Sequence, residues 1–236
     1  MATEAPAGSI WLRPERAGVG RPAQHTRAEI TGVALCVADA AGLDAVSMRR
    51  IAAELGTGAA SLYRYVETRD ELLDLMTDAT AAEYDFSAPT GNWLADLVAI
   101  GEQSRAILRR HPWLAALSIT RPVIGPNGVA VIEHFLAVLD GHPASVTAKL
   151  EAFAMINGLT ATSVLYEQAG GSALTERNAA YLTHAMTSGD HPRLAALIAQ
   201  ARSPESGQSG QGPADQADRY PYILSRVLLG LLGGQP

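Results

Sequence analysis

Residues 47–69 read SMRRIAAELGTGAASLYRYVETR, two short helices joined by a tight turn with a third helix about to begin. Met48, Ile51, Ala52 and Leu55 recur at helical spacing and give the first helix an apolar stripe. Ser47 stands just before them, where a side-chain oxygen can accept from free backbone N–H groups. Gly56 follows Leu55 and suits the left-handed conformation that ends a helix. Thr57-Gly58 completes the turn, and Leu62, Tyr65 and Val66 supply a second stripe. The opposite face carries Gly58, Ala59, Ala60, Ser61, Tyr63 and Arg64, which are small, polar or basic and allow close approach to another surface. That is the helix-turn-helix arrangement, whose second helix enters the DNA major groove. Taken alone, the pattern equally describes two helices of an ordinary all-α core joined by a glycine turn.

The flanking sequence extends the helical pattern. Thr26 is placed to cap a helix over 27–41, with Glu29 three residues on as a capping-box partner. Its inward positions are Ile30, Val33, Ala34, Val37 and Ala41, and Gly42 ends it. Thr68 caps a third head helix, with Asp70 and Glu71 in its first turn, where negative charge meets the positive helix end. Ala88-Pro89-Thr90-Gly91 breaks the pattern and marks a boundary. Helices are predicted over 92–110, 128–140, 145–168, 174–186, 192–202 and 222–232, with a short apolar segment at 113–119 and a proline-bearing loop at 120–127. Residues 1–25 lack periodicity and read as a flexible arm carrying Arg13, Arg16 and Arg21. That arm is either a solvated tail or a basic strand reaching DNA. Residues 203–217 (SPESGQSGQGPADQA) have the composition of a flexible loop. With no strand pattern and no repeat, the fold class is all-α. The domains are the arm at 1–25, the helix-turn-helix domain at 26–86 and a helical ligand-binding and dimerisation domain at 92–234.

Charge is partitioned along the chain. The 236 residues carry a net charge of −6. Residues 1–70 hold eight arginines and eight acids, so the remainder holds the whole excess, ten basic against sixteen acidic residues. A neutral, arginine-bearing end on an acidic bulk fits a protein that touches DNA at that end only. The single cysteine, Cys36, excludes an intrachain disulfide framework and suits a reducing compartment, and its helical context predicts a buried, inert thiol. No run is long and apolar enough for a membrane span, and the first residues lack the pattern of a signal peptide, so a cytoplasmic location is expected.

Catalytic and metal motifs are absent from the pattern. The six histidines have no metal spacing, and no nucleophile is placed beside a base. Neither a catalytic residue, a metal nor a cofactor is expected, and an enzyme is not the reading.

Ala52, Gly56, Ser61-Leu62-Tyr63, Tyr65-Val66 and Asp70-Glu71-Leu72-Leu73 together resemble the TetR family of bacterial repressors. Its pattern is Ala-x-x-x-Gly, then Thr/Ser-Leu-Tyr-x-His/Tyr-Phe/Val and a Glu-Leu-Leu-like helix start. The match covers about residues 26–84. Thr57 departs from it, standing where the family has an apolar residue, and is expected to loosen the turn. The downstream chain is similar, more loosely, to the ligand-binding region of the tetracycline-repressor branch in length, helix order and the element Thr120-Arg121-Pro122. In that branch a metal-ligating histidine lies three residues before the element; here Leu117 stands there, so recognition of a metal–drug complex is not carried over.

The resemblance implies a homodimeric, ligand-responsive repressor that binds a near-palindromic double-stranded operator and is released by a small-molecule effector. The expected phosphate contacts are Ser47, Arg49, Ser61, Tyr63, Tyr65 and Arg69, with packing as the other reading of Tyr65. Gly58, Ala59, Ala60 and Arg64 face base edges, and Arg64 can grip guanine O6 and N7 together or hold a phosphate. The helix at 145–168 and the last helix are the dimer candidates, with Ala154, Gly158 and Ala161 allowing close approach. Trp113, Leu117, Ile132, Phe135, Phe153, Asn157 and Thr160 are candidates for lining an effector pocket or, each singly, for plain core. The alternatives are an activator with the same head, or a small-molecule-binding bundle or enzyme that never meets DNA.

Overall fold

The computed structural model of the chain describes residues 9–14, 25–170, 173–202 and 219–233. The predicted loop at 203–217 and the arm residues Arg16 and Arg21 lie outside them. Among the described residues there are eleven α-helices and no strand. The head consists of α1 (Arg27–Ala41), α2 (Met48–Glu54), α3 (Ala59–Leu62) and the first half of α4 (Arg69–Ala81). The body consists of α5 (Trp93–Arg110), α6 (Leu114–Thr120), α7 (Pro126–Val138), α8 (Val146–Gln168), α9 (Ala173–Thr187), α10 (Pro192–Arg202) and α11 (Arg219–Leu232).

The helix starts follow from the capping residues. Thr26 accepts from the Glu29 amide while the Glu29 carboxylate takes the Thr26 amide, a complete capping box. Ser47, Thr68, Asn92 and Ser145 each accept from the backbone N–H three residues on. Gly56, at φ +65°, turns the chain between α2 and α3. The α7 helix begins two residues before its predicted start because Pro126 occupies the first helical position, where no N–H is needed. Its first turn has no cap of its own. Asp78 of α4 supplies one, its carboxylate accepting from the amides of Gly128 at 2.9 Å and Asn127 at 3.3 Å.

The second motif helix is shorter than the sequence predicts. α3 ends at Leu62, and the chain continues in a tighter turn in which the amides of Arg64 and Tyr65 bond back three residues. Thr68, at φ −135° and ψ 160°, is extended where it caps α4. Thr57 also behaves differently from expectation. Its hydroxyl bonds Ser61 Oγ at 2.7 Å and its amide reaches the Ala52 carbonyl at 2.9 Å, so it stitches the turn to both helices.

Two cores hold the molecule together. The first contains Ile30, Ala34, Ile51, Leu62, Val66, Leu72 and Met76, and continues without a break into Ile107, Leu108 and Leu114 of the body. The second, around Phe135, Leu139, Ile156, Leu224 and Leu228, joins α5, α7, α8 and α11. Gly101 permits the approach of α11 to α5, since a Cβ there would stand 2.7 Å from the Tyr220 hydroxyl. The head is therefore attached through packed apolar surface as well as through the chain. Cys36 is exposed, contrary to its predicted burial, because the buried stripe of α1 runs through Ala34, Val37 and Ala38 and passes it by.

Candidate nucleic-acid interface and internal cavity

Arg49, Arg50 and Arg64 are exposed on the α2–α3 surface, and no partner within the described residues engages them. Tyr63 beside them is 49% exposed. Gly58 and Ala60 are exposed, and Ala59 and Ser61 are half-buried, so backbone lies close to the outer surface along this strip. Ser47 is exposed, its oxygen accepting from the Arg50 amide at 3.3 Å with the hydroxyl proton still free to donate. Ser61 donates to the Gly58 carbonyl at 2.7 Å. This is a positively charged strip of low relief, the shape and charge that fit a groove lined by phosphates.

Besides Ser47 and Ser61, two more of the ten expected contact residues have internal partners. Tyr65 is 7% exposed and packs in the head core, where its spacing with Leu62 and Val66 places it, as the packing reading expects. Arg69 donates from Nε to the Val46 carbonyl at 3.2 Å and from Nη2 to the Leu43 carbonyl at 3.0 Å. It ties the start of α4 to the segment entering α2, which sets the helix-turn-helix unit against the helix that carries it. Arg50 was missed by the sequence reading, although its place beside Arg49 on the exposed side of α2 was visible.

A cavity of about 470 Å³ lies in the body. α4 contributes Thr77, Thr80 and Ala81 to its wall, and Tyr84 follows. α5 contributes Ser104 and Ile107, α6 contributes Ser118 and Ile119, and the loop after it Pro122, Val123 and Ile124. The far side is Val131 and Ile132 of α7 with Phe153 and Asn157 of α8. Among the described residues, no Asp, Glu, Lys, Arg or His lines it. Its polar points are few. Burial pushes the Tyr84 phenol up, against a hydrogen bond with Ser104 that lowers it. Thr77 Oγ1 is buried without a hydrogen-bond partner, an open polar valence in the hydroxylated α4 wall.

Of the seven expected pocket residues, Ile132, Phe153 and Asn157 line this cavity and four do not. Trp113 is turned toward the head, its indole N–H donating to Asp39 Oδ1 at 2.8 Å. Leu117 packs in the core shared by head and body. Phe135 is buried in the second core, edge-on to Phe153 at 5.2 Å between ring centres. Thr160 is fully buried and bonds the Ile156 carbonyl and the Tyr220 hydroxyl. The hydroxylated wall of α4 was missed. Its signature was Thr77, Thr80, Ala81 and Tyr84 at helical spacing, small and hydroxylated where Leu72, Leu73 and Met76 precede them.

Three contacts tie the cavity region to the head. His111 Nδ1 lies 2.8 Å from Asp39 Oδ1 of α1, and its Nε2 lies 2.7 Å from Glu83 Oε1, just past α4. Carboxylates only accept, so each contact requires a ring N–H. Arg121, next to the cavity loop, donates to Asp74 Oδ1 of α4 from Nε at 3.0 Å and Nη2 at 2.8 Å, and pairs with Asp70 at 3.0 Å. The third is the core itself, continuous from Leu72 to Leu114.

The family profile described as bacterial regulatory proteins, tetR family, matches residues 30–76, and that described as tetracyclin repressor-like, C-terminal domain, matches residues 87–212. The HTH-type transcriptional repressor DrrR1 of Streptomyces coeruleorubidus is 34% identical over 230 residues, covering 94% of this chain and 83% of that protein. The tetracycline repressor protein class D of Escherichia coli is 28% identical over 162 residues, 67% of this chain and 73% of that one. Among solved structures, the Streptomyces coelicolor TetR family protein ActR in complex with actinorhodin superposes with a TM-score of 0.72 at 28% identity, covering 89% of this chain and 99% of that chain. The same protein in complex with (S)-DNPA gives 0.71 at 30% identity, covering 90% and 99%.

Proposed function

Since the chain belongs to the TetR family of bacterial transcriptional regulators, we propose that it is a repressor that holds a pseudo-palindromic operator and releases it when a small molecule fills the body cavity. One observation carries this reading. The helix α4 begins where the helix-turn-helix unit ends and presents Thr77, Thr80 and Ala81 to the cavity. A molecule that binds better to one setting of α4 shifts the population of head positions by its differential affinity.

The cavity chemistry supports an uncharged, largely apolar effector of several fused rings. A charged group would lose its hydration there without gaining a partner. Thr77 Oγ1 and the Tyr84–Ser104 pair offer hydrogen bonds to a carbonyl or hydroxyl on such a molecule. That the neighbouring ActR structures hold actinorhodin and (S)-DNPA agrees with a small-molecule site in this fold.

On the DNA side, Arg64, Gly58, Ala59 and Ala60 face base edges, while Ser47, Arg49, Tyr63 and the remaining donors of Arg69 meet phosphates, and Ser61 does so by turning its hydroxyl from the Gly58 carbonyl. Two heads are needed for an inverted repeat, and the dimer forms through α8 and α11. Along α8, Val146, Leu150, Ala154, Gly158, Thr162 and Tyr166 make an exposed stripe without a charge, and Tyr222 and Ile223 continue it on α11. Such a surface on a charged exterior fits burial against a second copy. The protein then works in the cytoplasm, where its DNA is; no helix among the described residues is long and apolar enough to cross a membrane.

The test is binding of the full chain to its own upstream intergenic duplex, with and without a panel of uncharged polycyclic aromatic compounds. Binding that one or more of them abolishes supports the reading. A chain that takes up the compounds with its DNA affinity unchanged refutes the coupling.

A further inference from the structure

Residues 9–14 are docked. Ile10–Leu12 form a short 3-10 turn, and Ile10 is 2% exposed within the head core. Arg27 of α1 holds the turn through Nη1, donating to the carbonyls of Ile10 at 3.0 Å and Arg13 at 2.8 Å, while its Nε donates to the Tyr65 carbonyl at 3.1 Å. Arg13 grips the other side of the head, pairing with Glu67 at 3.0 Å and Glu71 at 2.7 Å across the start of α4. These contacts engage the guanidinium of Arg13 within the protein, so this part of the arm is neither a solvated tail nor a strand free to reach DNA.

Trp11 faces the body. A Cβ built on Gly125 would stand 2.5 Å from Trp11 Cζ2 and 2.5 Å from Asp78 Oδ1, so the indole lies on the backbone just before α7. Only glycine leaves room for that contact. Asp78 there holds the first turn of α7 through the Asn127 and Gly128 amides. On either side of Gly125, Ile124 and Gly128 line the cavity. One short segment therefore touches the head core with Ile10, α4 with Arg13, and the cavity's outer wall with Trp11.

We propose that residues 9–14 are a coupling strap, a further mechanical connection between the head and the cavity wall that runs through Trp11 and Gly125 rather than along α4. A displacement of the 121–128 segment presses on Trp11, and the strap passes it to Arg27 and to the start of α4. Its regulatory meaning, that the effector response runs partly through this segment, rests on the repressor reading; the connection itself does not.

The test perturbs the head and reads the body. Amide hydrogen exchange of Asn127 and Gly128 is measured on the full chain without DNA or effector, for the native protein, Arg27→Gln, Trp11→Ala and the double variant. The strap predicts several-fold faster exchange at these two amides in each single variant. It also predicts that Arg27→Gln adds nothing once Trp11 is gone, the non-additivity of residues acting through one another. Unchanged exchange in Arg27→Gln overturns the proposal. So does an Arg27→Gln effect that persists in full in the Trp11→Ala background, since the coupling then runs along α4. If Arg27→Gln unfolds the head, Arg13→Ala severs only the two ion pairs and takes its place under the same criteria. A chain that binds no operator would refute the repressor reading and leave this result standing.

Discussion

Arg64 and Arg49 carry the same charge and are both exposed, yet their replacement by alanine has different expected consequences. Arg64 follows the strip of Gly58, Ala59 and Ala60, which in the proposed docking comes nearest to base edges. Loss of a two-pronged guanine contact costs about 1–3 kcal/mol and relaxes selectivity at one base pair. Arg49 stands in the first turn of α2, which in the proposed docking crosses the phosphate backbone. Its loss weakens all sequences alike and lowers the salt slope by about one unit. Titrating each variant on the best operator and on single-base changes of it, over a salt series, separates the two. Full base selectivity in Arg64→Ala would make Arg64 a phosphate clamp and leave reading to Tyr63 and the small residues. At this scale the sequence was informative wherever a residue's role is local. Capping by Thr26, Ser47, Thr68, Asn92 and Ser145, and the turn at Gly56, depend on a few neighbouring residues and were legible. Arg69, Cys36 and Trp113 were not, because burial and partners depend on how a helix is rotated against others. Asp39, which draws Trp113 and His111 toward the head, is far away in sequence.

Among the elements, α8 is apolar around much of its circumference, which left its period legible and its two faces indistinct. The structure separates them: Ala152, Ile156, Thr160 and Val164 are buried, and Leu150 is 53% exposed on the uncharged stripe. Leu150→Glu should therefore leave the fold intact and convert the dimer to monomer in sedimentation. A variant that stays dimeric would remove α8 from the interface. Deleting α11 is a poorer probe, because Tyr220, Leu224, Leu228 and Leu232 belong to the core of the same chain. The strap at residues 9–14 makes a prediction in pH. Burial works against the charge on Glu71, but hydrogen bonds from Arg13 and from the backbone of Glu67 and Thr68 outweigh it and hold the carboxyl below its ordinary value of 4.5. A carboxyl depressed by folding stabilises the folded state above its unfolded value and loses that contribution as pH falls through the folded one. The strap should consequently loosen in acid, below pH 4.5, with greater solvent exposure of Trp11 in a Trp93→Phe/Trp113→Phe background. In Arg13→Ala that acid step should be weaker; an identical step would show that Arg13 is not what holds Glu71. The docked strap was not legible, since 9–14 has no helical period and owes its place to Arg27 and Gly125.

For the molecule as a whole, the partition of charge and the positions of most helices were legible, because periodicity and breakers are written along the chain. The continuity of the core from Leu72 to Leu114, and the cavity beside it, were not, because they arise only when α4, α5, α6 and α7 are assembled. That assembly makes the head and the cavity parts of one packed body, joined by α4, His111, Arg121 and the strap. The central claim is that two such heads read an inverted repeat. The most direct test is selection of the full chain on a library of random duplexes, followed by titration of the enriched sequence across ionic strength. The expected result is an inverted repeat with half-sites about one helical turn or slightly more apart, two chains bound to it, and affinity falling steeply with salt as phosphate contacts release counterions. Enrichment of no inverted repeat, or equal affinity for the enriched and the starting duplexes, would contradict it.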